Sequence, residues 1–172
     1  ERLDATLMEN PNAYVILPSI TVTDALLVDS TTVQLSLGSA LQPGTVYQLI
    51  PFDAYDCLGN NRHQEDTVKF GLIVDAQPGD IHINEILFNP GSNAYDYVEF
   101  FNNSNKIFDA TKLYIANRNS SGVISSIKPL STTPFYVFPG DHIVETEDPD
   151  NLAMQYLVKN PDNVLAISSP PS

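Results

Sequence analysis

Short apolar runs separated by turn-forming residues recur along the whole chain, and their spacing predicts β-strands. In the first half, Ala13-Tyr14-Val15-Ile16-Leu17 is stopped by Pro18, and Ile20-Thr21-Val22-Thr23 runs on toward Ala25-Leu26-Leu27-Val28. From Thr32 to Leu37 the pattern alternates, with Val33, Leu35 and Leu37 on one face and Thr32, Gln34 and Ser36 on the other. That period of two belongs to a half-buried strand. Gln42-Pro43-Gly44-Thr45 has Pro and Gly where a type II turn needs them, and launches Val46-Tyr47-Gln48-Leu49-Ile50. After Cys57-Leu58-Gly59-Asn60 a polar segment leads to Val68-Lys69-Phe70-Gly71-Leu72. Six short strands and no helix are expected in this half.

The second half continues the rhythm. Ile81 to Phe88 reads as a strand ended by Asn89-Pro90-Gly91, and Tyr95 to Phe101 as a strand ended by Asn102-Asn103-Ser104-Asn105. Lys112 to Ala116, Gly122 to Ile127, Phe135 to Phe138 and, after Pro139-Gly140, His142 to Thr146 follow. One segment departs from it. Asp148 to Val158 reads as a short helix, with Asp148 as N-cap, Pro149 at its first position and Asp150 complementing the positive end of the helix dipole. The expected boundary lies in Asp75-Ala76-Gln77-Pro78-Gly79-Asp80, which divides the chain into domains over residues 1–76 and 79–172.

Charge narrows the partners. Eight Lys+Arg against 21 Asp+Glu give a formal net charge of -13, and both halves are acidic. Neither half has the basic face that phosphate neutralisation requires, which argues against nucleic acid and against anionic lipid. No apolar run has membrane length, so direct membrane insertion is not expected. Cys57 is the single cysteine, and no intrachain disulfide can form.

Several blocks in the second half carry a resemblance. Ile83-Asn84-Glu85-Ile86-Leu87 with Asn89-Pro90, then Asp96-Tyr97-Val98-Glu99-Phe100-Phe101-Asn102 with Ser104, then Phe108-Asp109 to Ile115, and Pro139-Gly140-Asp141 before Ile143-Val144 occur in order. Together they resemble the lamin-tail domain family of immunoglobulin-like sandwiches, found in nuclear lamins and in secreted bacterial proteins. Tyr114 stands where that family usually has tryptophan. The motif residues carried over are Asn84, Glu85, Pro90, Asp96, Val98, Glu99, Asn102, Pro139 and Gly140.

The first half resembles, more loosely, the bacterial immunoglobulin-like domains of S-layer and other surface proteins. Leu41 to Leu49 and the turn Asp56-Cys57-Leu58-Gly59-Asn60 carry that likeness, with Gly59 and Asn60 as motif residues; Glu1-Arg2-Leu3-Asp4 looks like the tail of an early acidic strand. The fold implied is all-β: two tandem immunoglobulin-like β-sandwich domains with one short helix near the C-terminus, truncated at both ends.

Candidate chemistry is sparse. Glu85 and Glu99 on neighbouring strands could serve as general acid and base, as in glycosidases. Alternation puts Glu85 on the face of Ile81, Ile83 and Leu87, and Glu99 on the face of Tyr97 and Phe101. The weightier reading is structural, each carboxylate accepting backbone N–H bonds from a loop. Asp53, Asp56, Glu147, Asp148 and Asp150 are oxygen donors of the kind Ca²⁺ takes, but without the spacing of a calcium loop. His63, His82 and His142 show no metal-ligand spacing, and Cys57 with His63 has no orienting third group.

Neither catalytic residues, metal nor cofactor are expected. The function implied is a structural or interaction module of a larger exported bacterial surface protein, acting as spacer or adhesion segment with a protein or glycan partner. An accessory domain of a secreted hydrolase or nuclease is the alternative.

Overall fold

The computed structural model describes residues 3–52, 58 and 67–168. Cys57, Gly59, Asn60, His63, Asp53 and Asp56 fall outside them. The described residues are mostly β, with thirteen strands and two short α-helices. They form two compact units, Glu1–Leu72 and Ile73–Ser172, so the division falls ahead of the Pro/Gly segment 75–80.

In the first unit, β1 (Tyr14–Leu17), β4 (Tyr47–Pro51) and β5 (Val68–Phe70) form an antiparallel sheet in the order β1-β4-β5. β2 (Val22–Leu27) pairs antiparallel with β3 (Val33–Leu37). Tyr14, Ile16 and Tyr47 from the first sheet and Val22 and Ala25 from β2 share one core, with Val33, Leu35 and Leu37 packed against it. The alternation of 33–37 therefore has the predicted sense.

Two details differ from the sequence reading. The run from Ile20 to Val28 holds a single strand, Val22–Leu27, with its irregularity between Val22 and Asp24, so the described residues of this unit hold five strands. A short helix follows the acidic start: Asp4, itself extended, accepts the Thr6 and Leu7 amides and caps α1 (Ala5–Met8). The Asx cap competes with an extended chain for the same backbone donors. The Gln42–Thr45 turn closes with Thr45 N–H on the Gln42 carbonyl at 3.3 Å and Gly44 at φ +71°, the type II geometry expected.

In the second unit a four-stranded sheet runs in the order β13-β12-β7-β6, built from β6 (Ile81–Leu87), β7 (Tyr97–Asn102), β12 (His142–Thr146) and β13 (Val164–Ala166). All pairs are antiparallel except β12 with β13. Its inner face places Val98, Phe100 and Ile143 against Phe108 of β8 (Phe108–Asp109), Val137 of β11 (Tyr136–Val137) and Ile115 of β9 (Tyr114–Arg118). β10 (Ile124–Pro129) pairs with β9. The helix forms as α2 (Pro149–Gln155), capped by Asp148 through the Asn151 amide at 3.0 Å and ending before Val158.

Asn102, at the end of β7, is 1% exposed and ties the loop after β7 to β11 and to the turn before β12. Its Nδ2 donates to the carbonyls of Lys106 at 2.9 Å and, more weakly, Val137 at 3.4 Å. Its Oδ1 accepts from the Ser104 amide at 3.0 Å and hydroxyl at 2.8 Å. The backbone of the same residue bonds Asp141 and Gly140. An alanine there strands buried carbonyls. We expect Asn102→Ala to lower the unfolding free energy of the second unit by about 3 kcal/mol. Residue-resolved amide exchange should show that loss in the second unit while core amides of the first keep their protection.

Candidate functional site

Of the residues singled out by sequence, Glu85 and Glu99, with Asn84 bonded to Glu99, gather at the outward face of the β6–β7–β12 sheet, whereas Val98 and Asn102 face inward. Burial alternates along β7, so Val98, Phe100 and Asn102 point inward while Tyr97, Glu99 and Phe101 point outward. β6 does not alternate cleanly. Its pairing shifts between Ile83 and Glu85, leaving Asn84 as the extra residue of a bulge. Ile83 stays opposite inward-facing Phe100, whereas Glu85 lies opposite Glu99. Glu85 is therefore on the outer face with Glu99 and not on the face of Ile81 and Ile83. A bulge adds one residue to one strand and inverts the facing of everything beyond it.

Two carboxylates directly opposite each other on a sheet repel. Here each receives its own donors. Tyr97 Oη donates to Glu85 Oε1 at 2.6 Å. Asn84 Nδ2 donates to Glu99 Oε1 at 2.5 Å, and His142 Nδ1 lies 3.0 Å from the same oxygen. These donors are side chains, not the backbone amides that the sequence reading expected. Burial, and then the bond to Glu85, raise the Tyr97 hydroxyl well above its ordinary pKa, so it stays a donor. Tyr156 stacks edge-on against Tyr97 at 5.7 Å, and Phe101 lies against the His142 ring at 4.7 Å. Register also puts His82, Phe101 and His142 in one row across the sheet, a grouping their separation in sequence does not reveal.

At the loop end of the β6–β7 hairpin lies an open cavity of about 780 Å³. Phe88, Pro90, Tyr95 and Tyr97 supply apolar and aromatic walls, and Asp96 and Glu147 supply carboxylates. Phe88 is 76% exposed, far more than a core aromatic. Asp96 holds the rim through its carbonyl, which accepts the buried Thr146 hydroxyl at 3.0 Å. Asp148, one of the oxygen donors considered for Ca²⁺, is engaged as the α2 cap. Among the described residues no three His, Cys, Asp or Glu side chains group as metal ligands. Pro139 and Gly140 form the turn before β12, with Gly140 at φ +80° and Asp141 N–H on the Phe138 carbonyl.

One residue was not singled out from sequence. Glu145 of β12 is fully buried, opposite Val98 on one side and Leu165 on the other. Neither of its oxygens has a hydrogen-bond partner among the described residues. The signal was present, because alternation places it on the face of Ile143. Desolvation pushes its carboxyl up to about 8, against a weaker opposing pull from Lys128. It is largely neutral at pH 7, which suits its apolar surroundings.

The chain matches no protein-family model, no curated protein and no solved structure.

The buried carboxyl carries a pH dependence. Below about pH 4.5 Glu145 is protonated whether the chain is folded or not; from there to about 8 only the folded state holds the proton. Stability is therefore greatest on the acid side and is lost as pH rises through that window. The slope is at most about 1.4 kcal/mol per pH unit. Urea titrations from pH 5 to 9 should show this decline for the second unit, and Glu145→Gln should flatten it.

Proposed function

We propose that the chain is a non-catalytic structural and interaction module of a larger exported bacterial surface protein, engaging a protein or glycan partner. Its first unit is a bacterial immunoglobulin-like domain and its second a lamin-tail-like one. The observation carrying this reading is the exposed aromatic cavity of Phe88, Tyr95 and Tyr97 with Asp96 and Glu147 beside it. Aromatic faces stack on sugar rings and on apolar or cationic side chains, and carboxylates accept hydroxyl, amide or ammonium donors.

Glu85 and Glu99 support the same reading. They lie opposite each other on a sheet face, each engaged by side chains of its own fold. The ordered blocks from Ile83 to Val144 support the lamin-tail assignment, since they supply the paired strands β6, β7 and β12 and the Asn102 junction.

A glycan and matrix-protein array tests the reading. The expected outcome is selective retention of at least one class, weakened about tenfold by Phe88→Ala or Tyr95→Ala. Flat binding across the array would remove the interaction role and leave a spacer.

A further inference from the structure

The four-stranded sheet ends at β6, and among the described residues no strand pairs with its far edge. β6 is seven residues long. Alternate residues of an edge strand turn their N–H and C=O groups away from the sheet, which leaves a template for another strand. The side chains along this edge are sorted. Ile83 and Ile86 lie on the inner face, in rows with Phe100 and Val98, yet stay 56% and 55% exposed. Glu85 lies on the outer face beside Glu99. Ile86 and Leu87 also line the aromatic cavity, so the edge opens directly into it.

We propose that the free edge of β6 takes up an extended peptide segment of another protein, one that alternates apolar and basic residues. Its apolar side chains would extend the rows of Ile83 and Ile86, and its Lys or Arg side chains would face Glu85 and, at the cavity, Asp96 and Glu147. Backbone hydrogen bonds supply the affinity of such strand addition, and alternate side chains supply its selectivity. Charge selects the occupant. A second copy of this chain would bring a further formal charge of -13 and a second Glu85 to the same edge. The bulge at Asn84 and the outward carboxylate discourage self-pairing, but a cationic strand relieves the like-charge pair instead of adding to it.

The inference rests on the interaction reading above, and its test is separable from the array. A short fluorescent peptide alternating valine with lysine is titrated into the full chain and followed by anisotropy, with amide exchange recorded across β6. Saturable binding is expected, with slowed exchange at Ile83 and Ile86. Methylating the peptide's amide nitrogens along one edge should abolish it. Glu85→Gln, which keeps an acceptor for Tyr97, should weaken it about threefold, the size of an exposed ion pair. Equal binding of the N-methylated peptide, equal binding of a valine–glutamate peptide, or no binding of any peptide would overturn the proposal. So would sedimentation showing that the chain pairs with itself through β6. A chain that ignores the peptides yet binds on the array through Phe88 and Tyr95 loses this inference and keeps the interaction reading.

Discussion

The second unit depends on the side chain of one buried amide. β7 ends at Asn102, where the chain leaves the sheet, and a buried loop there would orphan several backbone groups. Asn102 meets that demand with both faces of its amide, bonding Lys106 and Val137 carbonyls and the Ser104 amide and hydroxyl. The same loop is held from outside the turn, because Asp80 accepts the Lys106 ammonium at 2.7 Å and its carbonyl accepts the Asn103 amide. The Lys106 bond, with the Gln77 amide, keeps the Asp80 carboxyl below its ordinary pKa. With this junction fixed, Phe108 and Val137 meet the inner face of the sheet, and β7 is left to present its other face outward.

Much of this was legible from residue pattern. Period two located the strands because burial on one face demands it, and the local chemistry of Asp148-Pro149 located the helix because a cap is a short-range bond. The Pro-Gly turns at Gly44 and Gly140 were legible for the same reason. What pattern misjudged was non-local. The bulge at Asn84 answers to pairing with β7, and nothing in Ile83-Asn84-Glu85 alone distinguishes an extra residue from ordinary alternation. Hence simple alternation groups Glu85 with Ile81 and Ile83, whereas the pairing sets it opposite Glu99 on the other face. The donors to these carboxylates were missed likewise, since His142 comes from a strand 43 positions away.

Glu145 shows the reverse case, a residue whose position was legible but whose state was not. Alternation puts it inward with Ile143, yet a buried carboxyl is tolerable only with a partner or a proton. With neither oxygen hydrogen-bonded among the described residues, burial favours the protonated form. A lone buried acid costs less neutral than ionised, and the pull of Lys128 is too weak to offset the loss of solvent.

The same acidity shapes the surface of the sheet. Strands with apolar residues at an open edge invite association, and the usual defences are a bulge, a charge or a short strand. β13, at one edge, is three residues long. β6, at the other, is seven, and defends itself with the Asn84 bulge and Glu85 while leaving Ile83, Ile86 and Phe88 exposed. A defence based on one sign of charge is selective: it repels an acidic strand and admits a basic one. The bulge at Asn84 is thus the feature that sorts the edge, because it turns Glu85 outward while Ile83 and Ile86 remain in register with the inner face.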